Sequence, residues 1–250
     1  MTNHNLMLIP NQPNITPLKT CAVLLAGGSG NRMGAEDKIL STLGKIPVLF
    51  HSLEALNSSS NIYSIIVVVP KDKILSYTKR INDGNFKKVQ KICVGGNSRQ
   101  ASVRAGLRFV QSEGWVLIHD AARPFITHQM ISDATQAVKE TGAATAAIPM
   151  TDTLKLSEDG GLSVKLTIQR EKIWAAQTPQ IFSVDIIKQA HKKPPISDFS
   201  DDSSLIEALG TKVKIFSGST NNIKITFPND LKVASYILDS IKDSNNRTLS

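Results

Sequence analysis

From residue 20 onward, short apolar runs alternate with amphipathic segments. Residues 21–26 (CAVLLA) are continuously apolar over the length of a strand buried on both faces. Ile46, Leu49, Phe50, Leu53 and Leu56 then fall at helical spacing. Residues 64–70 (SIIVVVP) predict a second buried strand stopped by Pro70, and a polar helical stretch leads to a third over 89–94 (VQKICV). Ala101, Val103, Leu107 and Val110 predict the next helix, 115–119 (WVLIH) a fourth strand, and Ile131, Ala134 and Val138 another helix. Residues 143–149 (AATAAIP) predict a strand of small side chains. Strand followed by helix, four times over, is the pattern of a parallel sheet covered by helices on both faces.

Residues 151–175 break this pattern. LKL (154–156) and LSVKLTI (162–168) flank EDGG (158–161), a hairpin signal. Such an insertion reads either as an arm that packs on a partner subunit or as an extra antiparallel edge of the same sheet. The tail predicts a helix over 201–209, strands over 213–216 (VKIF) and 223–226 (IKIT), and a last helix opened by Pro228, Asn229 and Asp230. The first nineteen residues carry Pro10, Pro13, Pro17 and four Asn, which predicts an extended or disordered leader. Neither an internal repeat nor a second hydrophobic core is evident. The expected fold class is therefore α/β: one domain over 20–245, with a Rossmann-like, mostly parallel sheet, helices on both faces and an inserted β-hairpin dimerisation arm over 151–175.

Composition narrows the class. With 250 residues, 41% apolar and 20% charged, the chain is an ordinary globular protein and not a disordered one. No stretch approaches the ~20 apolar residues of a membrane span, and residues 1–20 do not read as a secretory signal. A cytoplasmic protein with no membrane partner is expected. Cys21 and Cys93 both sit in apolar runs, which predicts buried free thiols, and the ligand spacing of a zinc site is missing. Lys and Arg outnumber Asp and Glu 29 to 21, a net charge of +8. Part of that excess reads as solvated surface charge, with Lys71, Lys73, Lys87, Lys88 and Lys91 flanking strands and loops. There is no arginine-rich tail and no basic stretch interleaved with aromatics, so small phosphates are the expected partners and nucleic acid is not.

In sheets of this kind ligands bind at the carboxyl ends of the strands. The loops to inspect are 27–33, 95–99, 120–124 and 150–155, all polar or glycine-rich. The first, GGSGNRM, follows a strand, and its glycines let backbone N–H groups approach phosphate. Arg32 adds a rigid fork of donors. The loop matches neither the dinucleotide-binding GxGxxG nor the P-loop GK[ST] pattern. No Ser-His-Asp or Cys-His arrangement is evident.

Residues 22–40 (AVLLAGGSGNRMGAEDKIL) resemble the signature of the sugar-phosphate nucleotidyltransferases. In the same order along the chain, GGNSRQASV (95–103), HDAARP (119–124), DTLK (152–155), QTPQ (177–180) and NIKIT (222–226) resemble the methylerythritol phosphate cytidylyltransferase family, over residues 20 to about 240. The resemblance implies transfer of cytidylate from CTP to 2-C-methyl-D-erythritol 4-phosphate with release of pyrophosphate. It also implies Mg²⁺ bridging the phosphates, and a homodimer in which the arm reaches the neighbour's pocket. On this resemblance Arg32 and Lys38 are the catalytic cations. Ala26, Gly27, Gly28, Gly30, Gly96, Asn97, Arg99, Ser102 and Asp120 bind CTP, with Asp120 also a candidate metal ligand. Ala121, Arg123, Thr153, Arg170, Thr178, Ser200 and Lys224 face the polyol phosphate.

Other readings stand beside these. Ser102 suits a helix cap, Arg123 a salt bridge, Asp120 a turn cap and His119 a packed strand end. Two departures from the family pattern stand out: the Arg32-to-Lys38 spacing is one residue short, and Ile39 follows Lys38 where Gln is common. Ser200 replaces a threonine. Ribitol 5-phosphate is the alternative substrate, and a nucleotide-binding regulator without turnover the alternative class.

Overall fold

The computed structural model describes residues 19–27, 37–158, 160–192 and 199–248, with side chains through residue 244. Residues 1–18 of the expected leader, and Gly28, Gly30 and Arg32 of the glycine loop, lie outside the described residues. In chain order the elements are Thr20–Leu25 (β1), Thr42–Leu43 (β2), Ile46–Pro47 (β3), Val48–Ser58 (α1), Ser64–Val69 (β4), Ile74–Asp83 (α2), Val89–Val94 (β5), Arg99–Leu107 (α3) and Trp115–Asp120 (β6). There follow His128–Thr141 (α4), Ala143–Pro149 (β7), Leu154–Ser157 (β8), Val164–Ile168 (β9), Trp174–Ser183 (β10), Val184–Lys192 (α5), Asp202–Glu207 (α6), Lys214–Ser217 (β11) and Pro228–Thr248 (α7).

Seven strands form one sheet in the order β11-β7-β10-β6-β1-β4-β5. All neighbours are parallel except those of β10, which runs antiparallel to both β6 and β7. The expected mostly parallel α/β sheet is thus the fold. From β1 the chain builds outward through β4 and β5, then returns to place β6 on the other side of β1. That reversal of strand order opens a crevice at the carboxyl ends of β1 and β6.

The core follows from strand alternation. Ala22, Leu24, Ile65, Val67 and Val69 point into one buried cluster, while Val23, Leu25, Ile66 and Val68 point into another on the opposite face. A third, smaller cluster joins Leu43, Val48, Phe125, Ile225 and Ala234 of α7. Helix α3 lies close on the sheet: a Cβ on Gly106 would sit 2.6 Å from Val23 Cγ1 and 3.0 Å from Val68 Cγ2. The absent side chain lets the last turn of α3 pack directly on β1 and β4.

Several elements differ from expectation. The helix expected from Ile46 starts at Val48, because Pro47 holds an extended ψ of 147° at its N-cap and Ile46 pairs with Leu43 in a short hairpin. Residues 223–226 form no strand. Ile225 instead donates its N–H to the Ala122 carbonyl at 2.8 Å and buries its side chain against α7. The long strand β10 and helix α5 were not foreseen from the pattern. Cys93 is buried as expected but Cys21 is only partly so, and both thiols are free.

The hairpin forms, with Leu154 opposite Ile168 and Leu156 opposite Leu166, but as a separate two-stranded sheet. It is therefore not an added edge of the central sheet. Gly160 and Gly161 turn it at φ +72° and +110°, backbone that other residues rarely adopt. Arg170 lies beyond the returning strand, in a 3₁₀ turn over Arg170–Lys172. Leu156, Leu162, Val164 and Leu166 on the arm are exposed. Among the described residues no helix is long and apolar enough to cross a membrane.

Candidate active site

A cleft of about 720 Å³ opens where β1, β4, β5 and β6 end. Leu25 and Gly27 follow β1, Val69 and Pro70 follow β4, and the loop from Gly95 to Ser98 follows β5. Asp120 and Ala122 close the β6 side, with Lys38, Ile39 and Lys224 on the walls. Five cationic side chains line it (Lys38, Lys71, Lys73, Arg99 and Lys224) against two carboxylates, Asp72 and Asp120. Lys71 and Lys73, read from sequence as solvated surface charge, belong to this wall; only the tertiary fold brings the end of β4 beside that of β1.

Asp120 organises the far wall. Its Oδ1 accepts from Arg99 Nε at 3.3 Å and its Oδ2 from Lys224 Nζ at 2.7 Å. Burial opposes charge on Asp120, but Arg99 and Lys224 outweigh it and hold the carboxyl well below the usual carboxylate range. Arg99 turns its other edge to Asp202, whose Oδ2 lies 2.6 Å from Nη1. Asp202 is fully buried at the start of α6, and its Oδ1 meets His191 Nε2 of α5 at 3.1 Å. Burial opposes the guanidinium charge of Arg99, and the two aspartates more than restore it. The sequence reading missed His191 and Asp202. The Asp-Asp pair marks the start of α6, but no local signal points from it to Arg99 or His191.

His119 is the packed strand-end residue expected. Its Nε2 donates to the Arg123 carbonyl at 3.0 Å, so Nδ1 is the acceptor for the Thr178 hydroxyl, also at 3.0 Å. The same Thr178 oxygen accepts the Asp120 N–H at 3.1 Å. Burial lowers the His119 pKa to about 4 against the pull of its backbone bond, and the ring is neutral at pH 7. Thr178 is buried and its hydroxyl is committed on both sides, so it holds the Asp120 strand end and does not line the cleft. Arg123 likewise lies behind the wall. Its Nη1 donates to the Asn222 carbonyl at 2.7 Å, and the alternative salt bridge is not formed among the described residues.

Ser102 lines the cleft and its hydroxyl ties the β5 loop to α3. It accepts from Gly96 N–H at 3.2 Å and contacts the Gly96 and Ser98 carbonyls at 3.3 and 2.9 Å. It is not the helix cap; Ser98 takes that place by accepting the Ala101 N–H. Gly27, Lys38, Gly96, Asn97, Arg99, Ser102, Asp120 and Lys224 converge on the cleft. Ala26 and Ala121 are buried beside it without lining it. Thr153, Arg170 and Ser200 are exposed outside it. Arg170 donates to the Thr151 carbonyl at the base of the arm.

A glycine-rich, cation-lined crevice at the reversal point of a parallel sheet is suited to the phosphates of a nucleotide, as in the nucleotidyltransferases. The sequence model of the family described as 2-C-methyl-D-erythritol 4-phosphate cytidylyltransferase (IspD) matches residues 20–240. The 2-C-methyl-D-erythritol 4-phosphate cytidylyltransferase of Dehalococcoides mccartyi is 43% identical over 220 residues, 88% of this chain and 96% of that one. That of Clostridium novyi is 38% identical over 228 residues, 90% and 98% of the two chains. Among solved structures, the 4-diphosphocytidyl-2C-methyl-D-erythritol synthase of Anaerococcus prevotii superposes with a TM-score of 0.79 at 29% identity, covering 89% of this chain and 96% of that one. The chain belongs to the 2-C-methyl-D-erythritol 4-phosphate cytidylyltransferase family.

Proposed function

We propose that this cleft transfers the cytidylyl group of CTP to 2-C-methyl-D-erythritol 4-phosphate, the reaction of the family, and releases pyrophosphate. The observation that carries the reading is the convergence of Lys38, Arg99, Asp120 and Lys224 on one crevice with Gly27 and Gly96. A phosphate oxygen of the acceptor attacks the α-phosphorus, the new P–O bond forms, and the bond to the β-phosphate oxygen breaks. The attacking phosphate has a second pKa of about 6 and arrives largely dianionic. It needs no general base, which agrees with a neutral, fully hydrogen-bonded His119. The protein's task is to hold two polyanions in line and offset the charge that builds up.

Lys38 and Arg32 neutralise the triphosphate, and the Gly96 and Asn97 backbone with Ser102 shapes the pocket for the pyrimidine nucleoside. Arg99 joins the CTP side beside Asp120, and Lys224 faces the acceptor. Among the described residues no three His, Cys, Asp or Glu side chains lie close enough to hold a metal unaided. The ionised Asp120 on the cleft wall fits a Mg²⁺ that is carried mainly by phosphate oxygens and takes one or two protein carboxylates. Bound there, Mg²⁺ would supply Lewis-acid polarisation of the phosphates.

The exposed apolar arm supports a homodimer, with Thr153 and Arg170 delivered to the neighbour's acceptor site and the rest of the chain forming one domain. Free thiols suit a reducing cytoplasm. The test is pyrophosphate release by the purified protein with CTP, Mg²⁺ and either methylerythritol phosphate or ribitol 5-phosphate. Release with the first is expected. Release with ribitol 5-phosphate alone would transfer the reading to that substrate, and tight CTP binding with no release from either would make the protein a nucleotide sensor.

A further inference from the structure

Lys38 sits between two anchored neighbours. On one side, Asp37 turns its carboxylate inward and receives four donor contacts. The Tyr77 hydroxyl lies 3.0 Å from each oxygen, Lys73 Nζ 3.1 Å from Oδ2, and the Ile39 N–H 3.2 Å from Oδ1. The Asp37 carbonyl is equally committed, accepting the Leu40 and Ser41 N–H groups at 2.9 and 2.8 Å and the Ser41 hydroxyl at 3.1 Å. On the other side, Ile39 buries its side chain in the main core cluster and its carbonyl accepts the Leu49 N–H at 3.0 Å. The isoleucine that departs from the family pattern thus acts as a hydrophobic peg.

Tyr77 belongs to α2, 40 residues away, and is completely buried apart from its engagement with this carboxylate. Burial, and then the charge of Asp37, push its phenol pKa above the ordinary value, so the ring is a permanent donor at any working pH. Its hydroxyl would cost free energy in that interior without a partner, and Asp37 is the partner it finds. Lys73 sits where the cluster meets the cleft and offsets a negative charge one residue from Lys38.

We propose that Asp37, clamped by Tyr77 and Lys73, is the positioning residue that fixes Lys38 at the wall of the cleft. Asp37 and Tyr77 do not line the cleft; they set the backbone from which the Lys38 ammonium reaches the phosphates. The inference rests on the reading of Lys38 as the cation that offsets charge in the transition state. A displaced stabilising group then lowers the chemical step more than it weakens ground-state binding, and misplacement by about 1 Å can cost about 100-fold.

The test uses the full chain and steady-state pyrophosphate release. Tyr77→Phe removes one oxygen and keeps the buried ring, and Asp37→Asn keeps an acceptor for Ile39 while giving up the charge that Lys73 and Tyr77 share. Each is expected to lower kcat about 10-fold to 100-fold with little change in KM for CTP. Lys38→Ala is expected to lower kcat further, and adding Tyr77→Phe to it should cost nothing more, because the clamp acts through Lys38. If Lys38→Ala is crippled while Tyr77→Phe and Asp37→Asn turn over normally, the clamp is overturned and the role of Lys38 stands. A further loss in the double variant equal to that of Tyr77→Phe alone also overturns it, since the hydroxyl then acts on the fold at large. Normal turnover by Lys38→Ala removes the role of Lys38 and the inference with it.

Discussion

Lys224 Nζ lies 2.7 Å from Asp120 Oδ2, an ion pair between positions 104 residues apart. It joins the end of β6 to the irregular segment before α7, and the other Asp120 oxygen is held by Arg99. One carboxylate therefore sets the spacing of two cations that would otherwise repel across the cleft. Arg99 is in turn anchored from behind by the buried Asp202. The far wall is thus an alternating chain of charges, laid from the helix-packed interior to the solvent-facing edge.

Removing the central charge should cost both stability and rate. Asp120→Asn leaves Arg99 and Lys224 facing each other with a neutral group between them. Urea unfolding is expected to show a loss of about 2–3 kcal/mol, below the ~3–5 kcal/mol of a fully buried ion pair because Lys224 is partly exposed. Pyrophosphate release should fall by about 10²–10³. Unchanged values of both would mean that the charge chain is ornamental.

Acid sensitivity should be traceable to His119. Its folded pKa of about 4 is below the ordinary 6.5, so the unfolded chain binds the extra proton first as pH falls. The stability this residue contributes is complete above pH 6.5 and is lost between about 6.5 and 4, at up to about 1.4 kcal/mol per pH unit. Asp120 adds a second loss below its ordinary pKa of 3.8, because its folded pKa is depressed. Unfolding free energy measured from pH 7 to 4 should fall with this slope, and His119→Gln should flatten it.

The β5 loop has no room for a side chain. A Cβ on Gly96 would lie 2.4 Å from Ala101 Cβ, and one on Gly95 2.7 Å from Ser102 Oγ and 3.1 Å from Val68 Cγ1. Gly96→Ala must push the loop off the start of α3, at an overpacking cost of about 1–3 kcal/mol. Titration calorimetry should show CTP affinity reduced by roughly that amount, with the thermal midpoint less affected. A variant that binds CTP normally would place the nucleoside elsewhere.

If the arm completes a neighbour's site, two inactive subunits should complement one another. Arg170→Ala and Lys38→Ala proteins, mixed and re-associated, would yield dimers with one pocket holding both native groups. Recovered pyrophosphate release in verified mixed dimers is the expected result. Its complete absence would confine Arg170 to its own chain, where its guanidinium already bonds the Thr151 carbonyl.

The amino-acid sequence by itself determined the parallel strands, because β1, β4 and β6 are apolar on both faces and a local pattern suffices to mark them. It also determined the glycine-bearing loops after β1 and β5, whose chemistry is written in consecutive residues, and the hairpin with its Asp-Gly-Gly turn. Tertiary structure alone decided the rest. Strand β10 is called by its position between β6 and β7 and not by its mixed sequence, and IKIT alternates like a strand yet spends Ile225 on the α7 contact. Lys71 and Lys73 look like any surface lysines until the sheet sets them beside Lys38. Thr178 and Arg123 read as binding groups, and only the fold shows that the Thr178 hydroxyl meets His119 and that Arg123 Nη1 donates to the Asn222 carbonyl. The pairings of Asp120 with Lys224, Asp202 with Arg99 and Asp37 with Tyr77 span 104, 103 and 40 positions. No local periodicity encodes a contact at such separations; it exists only once the sheet has closed and the cost of burying one charge has been met by another.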